Sequence, residues 1–141
     1  MLLLVHAGAS VYMAGLIWFV QVVHYPLMKH VGDADYQAYH HLHMRLTTWV
    51  VGPPMLAELI CAVWIVANPP HGLPLWMGWA GLALLALVWA STFFWQVPRH
   101  RELERGFDAR AHRRLVRSNG VRAVGWSLRG VIALSMIAAV G

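Results

Sequence analysis

Residues 73–97, LPLWMGWAGLALLALVWASTFFWQV, contain no Asp, Glu, Lys, Arg or His. A helix rises 1.5 Å per residue, and roughly 20 apolar residues cross about 30 Å of hydrocarbon, so this stretch is long enough to span a bilayer. Residues 2–23, about 47–67 and about 121–140 are similarly apolar, the second and third carrying few charges, among them Glu58 and Arg129 deep in the segments. The whole chain is 59% hydrophobic and 12% charged. Ordinary soluble domains carry roughly a quarter charged residues to cover their surface. The fold class that follows is all-α, a bundle of four transmembrane helices filling residues 1–141 as a single integral membrane domain.

The first segment has no basic stretch before it and runs through Gln21 and His24 into Tyr25-Pro26 without a cleavage signal, so it reads as a helix of the bundle. Cys61 is the only cysteine, which excludes an intrachain disulfide and points to a packing role. Seven arginines between Arg99 and Arg117 share one connection with three acids, and Lys29 and Arg45 fall in another. Residues 68–73 carry no charge. By the positive-inside rule the two longer connections are cytoplasmic and both termini lie outside, in a multi-pass protein of the cell inner membrane. The same distribution explains the net charge of +5 through topology and lipid headgroups, without nucleic acid.

The expected helices cover about 2–25, 34–67, 73–97 and 119–140, with a short basic helix at about 109–117. Proline ends the first at Tyr25-Pro26. The second includes a cytoplasmic extension from residue 34, its start capped by Asp33 or Asp35, and a bend is expected at Gly52-Pro53-Pro54. Asn68-Pro69-Pro70-His71-Gly72 forms an outside turn, and Gly106-Phe107-Asp108 breaks the chain before the basic helix. Small residues such as Gly78 and Gly81 permit close helix packing.

Polar residues converge at the inner ends of these helices. Gln21 and His24 are three apart, as are His40 and His43, and Gln96 and His100 are four apart, so each pair shares a helix face. Asn119 and Arg122 open the fourth helix. Two charges go deeper: Glu58, eleven residues past Thr47, reaches about 16 Å into the bilayer, and Arg129, ten past Asn119, about 15 Å. A charge near mid-membrane is costly without a partner, so Glu58 and Arg129 are expected to pair, either structurally or in function. Arg122 is then free to hold a carboxylate, phosphate or quinone-like oxygen. Glu58, Arg122 and Asn119 are the candidate catalytic residues.

Imidazoles suit iron and copper, and His24, His40, His43 and His100 are the candidate metal ligands. Haem is the alternative, held by His24 and His100 with Arg122 at a propionate. His6, His30, His41, His71 and His112 are set aside by position. No CxxCH, HExxH, phosphate-binding loop or dinucleotide fingerprint occurs.

The run from Thr92 through Gln96, Pro98 and His100 to Leu103, the proline after an inner-end histidine at Pro26, and the segment from Leu115 to Arg122 resemble the anthrone oxygenase-like family of small four-helix membrane proteins. In that family a threonine, a proline, a polar residue and a leucine recur in the third helix, here Thr92, Pro98, His100 and Leu103. A polar residue and an arginine recur in the fourth, here Asn119 and Arg122. The resemblance implies oxidation of aromatic polyketide-type substrates by some members. The sequence departs from it at His40, His41, His43 and Glu58. A looser similarity links the chain to four-helix haem-linked membrane oxidases.

Three functions are open on these residues. The first is a membrane oxidoreductase or oxygenase with a metal at the cytoplasmic side and a hydrophobic molecule or quinone drawn from lipid. The second is a small ion or proton carrier, which a chain this short would form as a homo-oligomer. The third is a non-catalytic assembly subunit.

Overall fold

The computed structural model describes residues 1–141 as four long helices: α1 Leu2–Met28, α2 Asp33–Ala67, α3 Leu75–Leu103 and α4 Ala109–Val140. They run alternately up and down. α1 packs on α2, α2 on α3, α3 on α4 and α4 back on α1, which closes the bundle. All four are long and apolar enough to cross a membrane, and there is no sheet. The outer surface carries exposed Trp49, Ile60, Trp76, Trp79, Phe94 and Val131. An exterior this apolar suits lipid, where intrahelical hydrogen bonds satisfy every backbone group that water no longer reaches.

The interior is layered. Met13, Ile17, Leu85, Val88, Ala123 and Trp126 fill the middle. Ile65, Leu73 and Met136 close the end that holds the link 68–74. Tyr25, Met28, Tyr36, Leu103 and Leu115 close the opposite end. Gly125 lets α4 approach α3 closely, since a Cβ there would run into the Val88 side chain.

The helices extend beyond the boundaries expected from proline. α1 continues to Met28 and α3 to Leu103, and each contains a π-helical turn immediately before its X-Pro pair: Val20–His24 before Tyr25-Pro26, and Thr92–Gln96 before Val97-Pro98. Proline lacks an N–H and its ring collides with the carbonyl four residues back. Widening that turn relieves the collision while the chain stays helical: Tyr25 N–H reaches back five residues to the Val20 carbonyl, and Val97 N–H to that of Thr92.

Two further expectations change. The basic helix and the fourth transmembrane helix are one 32-residue helix, because residues 109–140 contain no proline and Gly120 alone does not break a helix supported on one side by the bundle. Asp108 caps it by accepting a 2.6 Å bond from the Ala111 amide. At the start of α2 the capping position is Gly32, without a side-chain bond, and Asp33 and Asp35 lie in the first turn, where they face the positive end of the helix dipole. α2 runs as a helix through Pro53 and Pro54.

Candidate functional site

The π-helical turns and their prolines set the site. Gln21 and His24 lie in the turn of α1, Thr92 and Gln96 in that of α3, and His100 stands two residues beyond Pro98. π-helical turns often mark functional sites because they re-aim side chains without ending the helix. Here they direct Tyr25, Gln96 and His100 into the same end of the bundle as His40 and His43 from α2.

Four imidazoles gather there. The His24 and His43 rings stack at 4.3 Å between centroids, His40 and His100 lie 5.3 Å apart, and His43 and His100 5.6 Å. Most of their nitrogens have protein partners: His24 Nε2 faces the Tyr39 hydroxyl at 3.4 Å, and His43 Nδ1 the Thr47 hydroxyl at 3.1 Å. His100 uses both, Nδ1 at 3.2 Å from His40 Nε2 and Nε2 at 3.1 Å from the Tyr25 hydroxyl.

The direction of this last chain follows from its far end. Gln96 Nε2 faces the Leu115 carbonyl, an acceptor only, and donates to Ser118 Oγ at 2.8 Å, so its Oε1 is turned to Tyr25. Tyr25 therefore donates to Gln96 Oε1, at 3.2 Å. His100 must then donate from Nε2 to Tyr25 and accept at Nδ1 from His40 Nε2–H. The tautomer this assigns to His40 leaves a bare lone pair on Nδ1, which is buried and has no partner. His40, His100, Tyr25, Gln96 and Ser118 thus form one directed hydrogen-bond wire joining α2, α3, α1 and α4.

That wire bears on the metal expectation. His40 Nδ1 is a free donor atom of the right chemistry, but His100 cannot ligate a metal while the wire stands. No three His, Cys, Asp or Glu side chains are spaced as a metal-holding group. As arranged, the imidazoles form a hydrogen-bonded cluster rather than a closed coordination set.

Beside them lies a cavity of about 330 Å³. His24, Tyr25, His43, Gln96, His100 and Arg122 supply its polar wall, and Leu16, Ile17, Val20 and Val51 are among its apolar lining. Phe19, Leu46 and Val50 also line it while being 56, 54 and 44% exposed, so it opens sideways on the lipid-facing surface. Arg122, largely buried, donates to Asn119 Oδ1 at 3.1 Å, and Asn119 donates to Gln21 Oε1 at 2.9 Å. Its guanidinium carbon stands 5.1 Å from the centre of the Trp126 ring.

Glu58 is not among the histidines. It is fully buried in mid-bundle and paired with Arg129 Nε at 3.1 Å. Ser10 Oγ donates to its Oε1 at 2.5 Å, and Trp126 Nε1 to its Oε2 at 2.7 Å. Arg129 also donates to the Gly81 carbonyl. Every Glu58 oxygen is occupied, which satisfies the carboxylate and leaves it no approach to the cavity, while Arg129 Nη2 is buried without a partner. Trp126 joins the two arginines, its ring beside Arg122 and its N–H on Glu58.

Sequence reasoning missed Tyr25, Trp126 and His112 as site residues. His112 donates to the Tyr25 carbonyl at 2.8 Å and so anchors the wire from behind. The available signal was Tyr25 beside His24 and before Pro26. His112 carried none, because its face depends on the basic helix and α4 being continuous.

No family model matches the chain, and no curated protein or solved structure does.

Proposed function

We propose that the protein is a membrane oxidoreductase or oxygenase that takes a hydrophobic substrate from the bilayer into this cavity, with the histidine end on the cytoplasmic side. One observation carries the reading: an apolar cavity opening on the lipid-facing surface ends against imidazoles, a tyrosine and a buried arginine. Small-molecule sites are typically about 300–1,000 Å³, mostly apolar, with a few convergent polar groups. A packing void needs none of those groups.

The wire gives the cavity a route for protons. Tyr25 and His100 line the wall, and His40 behind them offers the bare Nδ1 at which a proton enters the wire. A proton taken up at His40 Nδ1 lets His40 pass its Nε2 proton to His100 Nδ1 and His100 its Nε2 proton to the Tyr25 oxygen, while Tyr25 gives its own hydroxyl proton to a substrate oxygen in the cavity. The apolar lining excludes water from these bonds. Arg122 orients an oxygen of the substrate. Iron or copper is the redox group this reading calls for; held among His24, His40 and His43, it would supply electron transfer, and recruiting His100 would require opening the wire.

The test is metal analysis with a visible spectrum on protein extracted gently in detergent. About one iron or copper per chain, reduced by His40→Ala, is the expected result. Protein that retains its fold with neither metal nor haem would overturn the oxidoreductase reading and leave the proton wire to a carrier.

A further inference from the structure

Arg122 is a buried cation with no counter-charge. The chain has six acids. Five of them, Asp33, Asp35, Glu102, Glu104 and Asp108, lie in the connections or at helix ends, and Glu58 is committed to Arg129. The two ion pairs of the structure are Arg99–Glu102 and Arg129–Glu58. Arg122 Nε is buried without a hydrogen-bond partner, and the residue lines the cavity. The ring of Trp126 and the Asn119 oxygen stabilise the guanidinium, but neither neutralises it. Arg129, on the same helix, shows the alternative: a mid-membrane arginine supplied with its own carboxylate.

We propose that the cavity binds a hydrophobic monocarboxylic acid, its carboxylate paired with Arg122 and its apolar body lying towards Phe19, Leu46 and Val50. This deepens the reading of the cavity as the substrate site and rests on it. A planar guanidinium fork matches a carboxylate, in the strongest class of hydrogen bond. A doubly charged phosphate monoester would leave one charge uncompensated, since Arg122 is the only permanently charged side chain in the lining. A two-chain phospholipid is too large for a volume at the low end of ligand sites. The acid arrives from the bilayer already oriented by its chain, and the other polar groups of the wall are uncharged acceptors and donors that tolerate one anion.

The test compares tritiated palmitic acid with tritiated methyl palmitate, bound to the full chain in nanodiscs of neutral lipid at pH 8. The unaltered protein should prefer the acid by about tenfold or more, the size of one charge-assisted contact. Arg122→Gln should remove that preference by bringing acid binding down to the level of the ester. Equal binding of acid and ester by the unaltered protein would overturn the carboxylate assignment and leave the cavity as a substrate site. Tight ester binding without acid binding would do the same. Binding of neither would overturn both. The acid-to-ester comparison needs no substitution, so a poorly folding variant does not blunt it.

Discussion

Glu58 and Arg129 show how strongly single residues are constrained in this bundle. Each is fully buried, and the carboxylate has three donors around it. Removing one partner strands the other charge, so Arg129→Met should destabilise the protein by about 3–5 kcal/mol, whereas Glu58→Gln/Arg129→Met should recover most of that loss. Thermal unfolding of the three proteins in one detergent checks this, and a double variant as unstable as the single would sink the ion-pair account. Asp108 gives a pH-dependent counterpart at the surface. The hydrogen bond from the Ala111 amide, more than the nearby arginines, holds its carboxyl below the usual carboxylate range. A depressed folded value means the cap is at full strength above about 3.8, the ordinary aspartate value, and is lost as pH falls through the folded one. The Ala111 amide resonance should follow that loss, and Asp108→Asn, which still caps, should abolish the dependence.

At the scale of elements, proline decides more than helix length. Each X-Pro pair follows a π-helical turn that holds site residues. With Pro98→Ala the turn is free to close into an ordinary α-helical one, which rotates Gln96 by up to about 100° relative to the rest of α3 and carries it off Tyr25 and Ser118. Affinity for a cavity ligand should fall several-fold while the thermal midpoint holds or rises, because alanine restores a backbone bond. If ligand binding is untouched, the turn does not position the site. The helices themselves were legible from apolar length. Their ends were not: locally proline signals a stop, and only a neighbouring helix makes it worthwhile to carry the chain through a widened turn. The same limit split α4 into two helices in the sequence reading, since its basic first third gains stability from packing of Ala111, His112 and Leu115 that no local pattern displays.

For the whole molecule, the polar cluster and the arginine-rich link lie at one end and residues 68–74 at the other. If the positive-inside rule sets the orientation, an impermeant maleimide should label His71→Cys on intact cells and Arg110→Cys only after permeabilisation, both in a Cys61→Ser background. The reverse pattern would place the cavity at the outer leaflet and remove the cytoplasmic setting of the proposed chemistry.

Sequence alone determined the class, because 25 residues in a row without a charge, nearly all of them apolar, are stable as a helix in lipid, and three more stretches repeat the message. It also marked His24, His40, His43, His100, Asn119 and Arg122 as one end of the bundle, since helical rise converts position into depth. Rotation about each helix axis was left to tertiary packing, because a shift of one residue turns a side chain by about 100°. That angle decides that Glu58 faces Arg129 instead of the imidazoles, that His100 hydrogen-bonds to His40 and Tyr25, and that Arg122 meets a cavity with no acid in it.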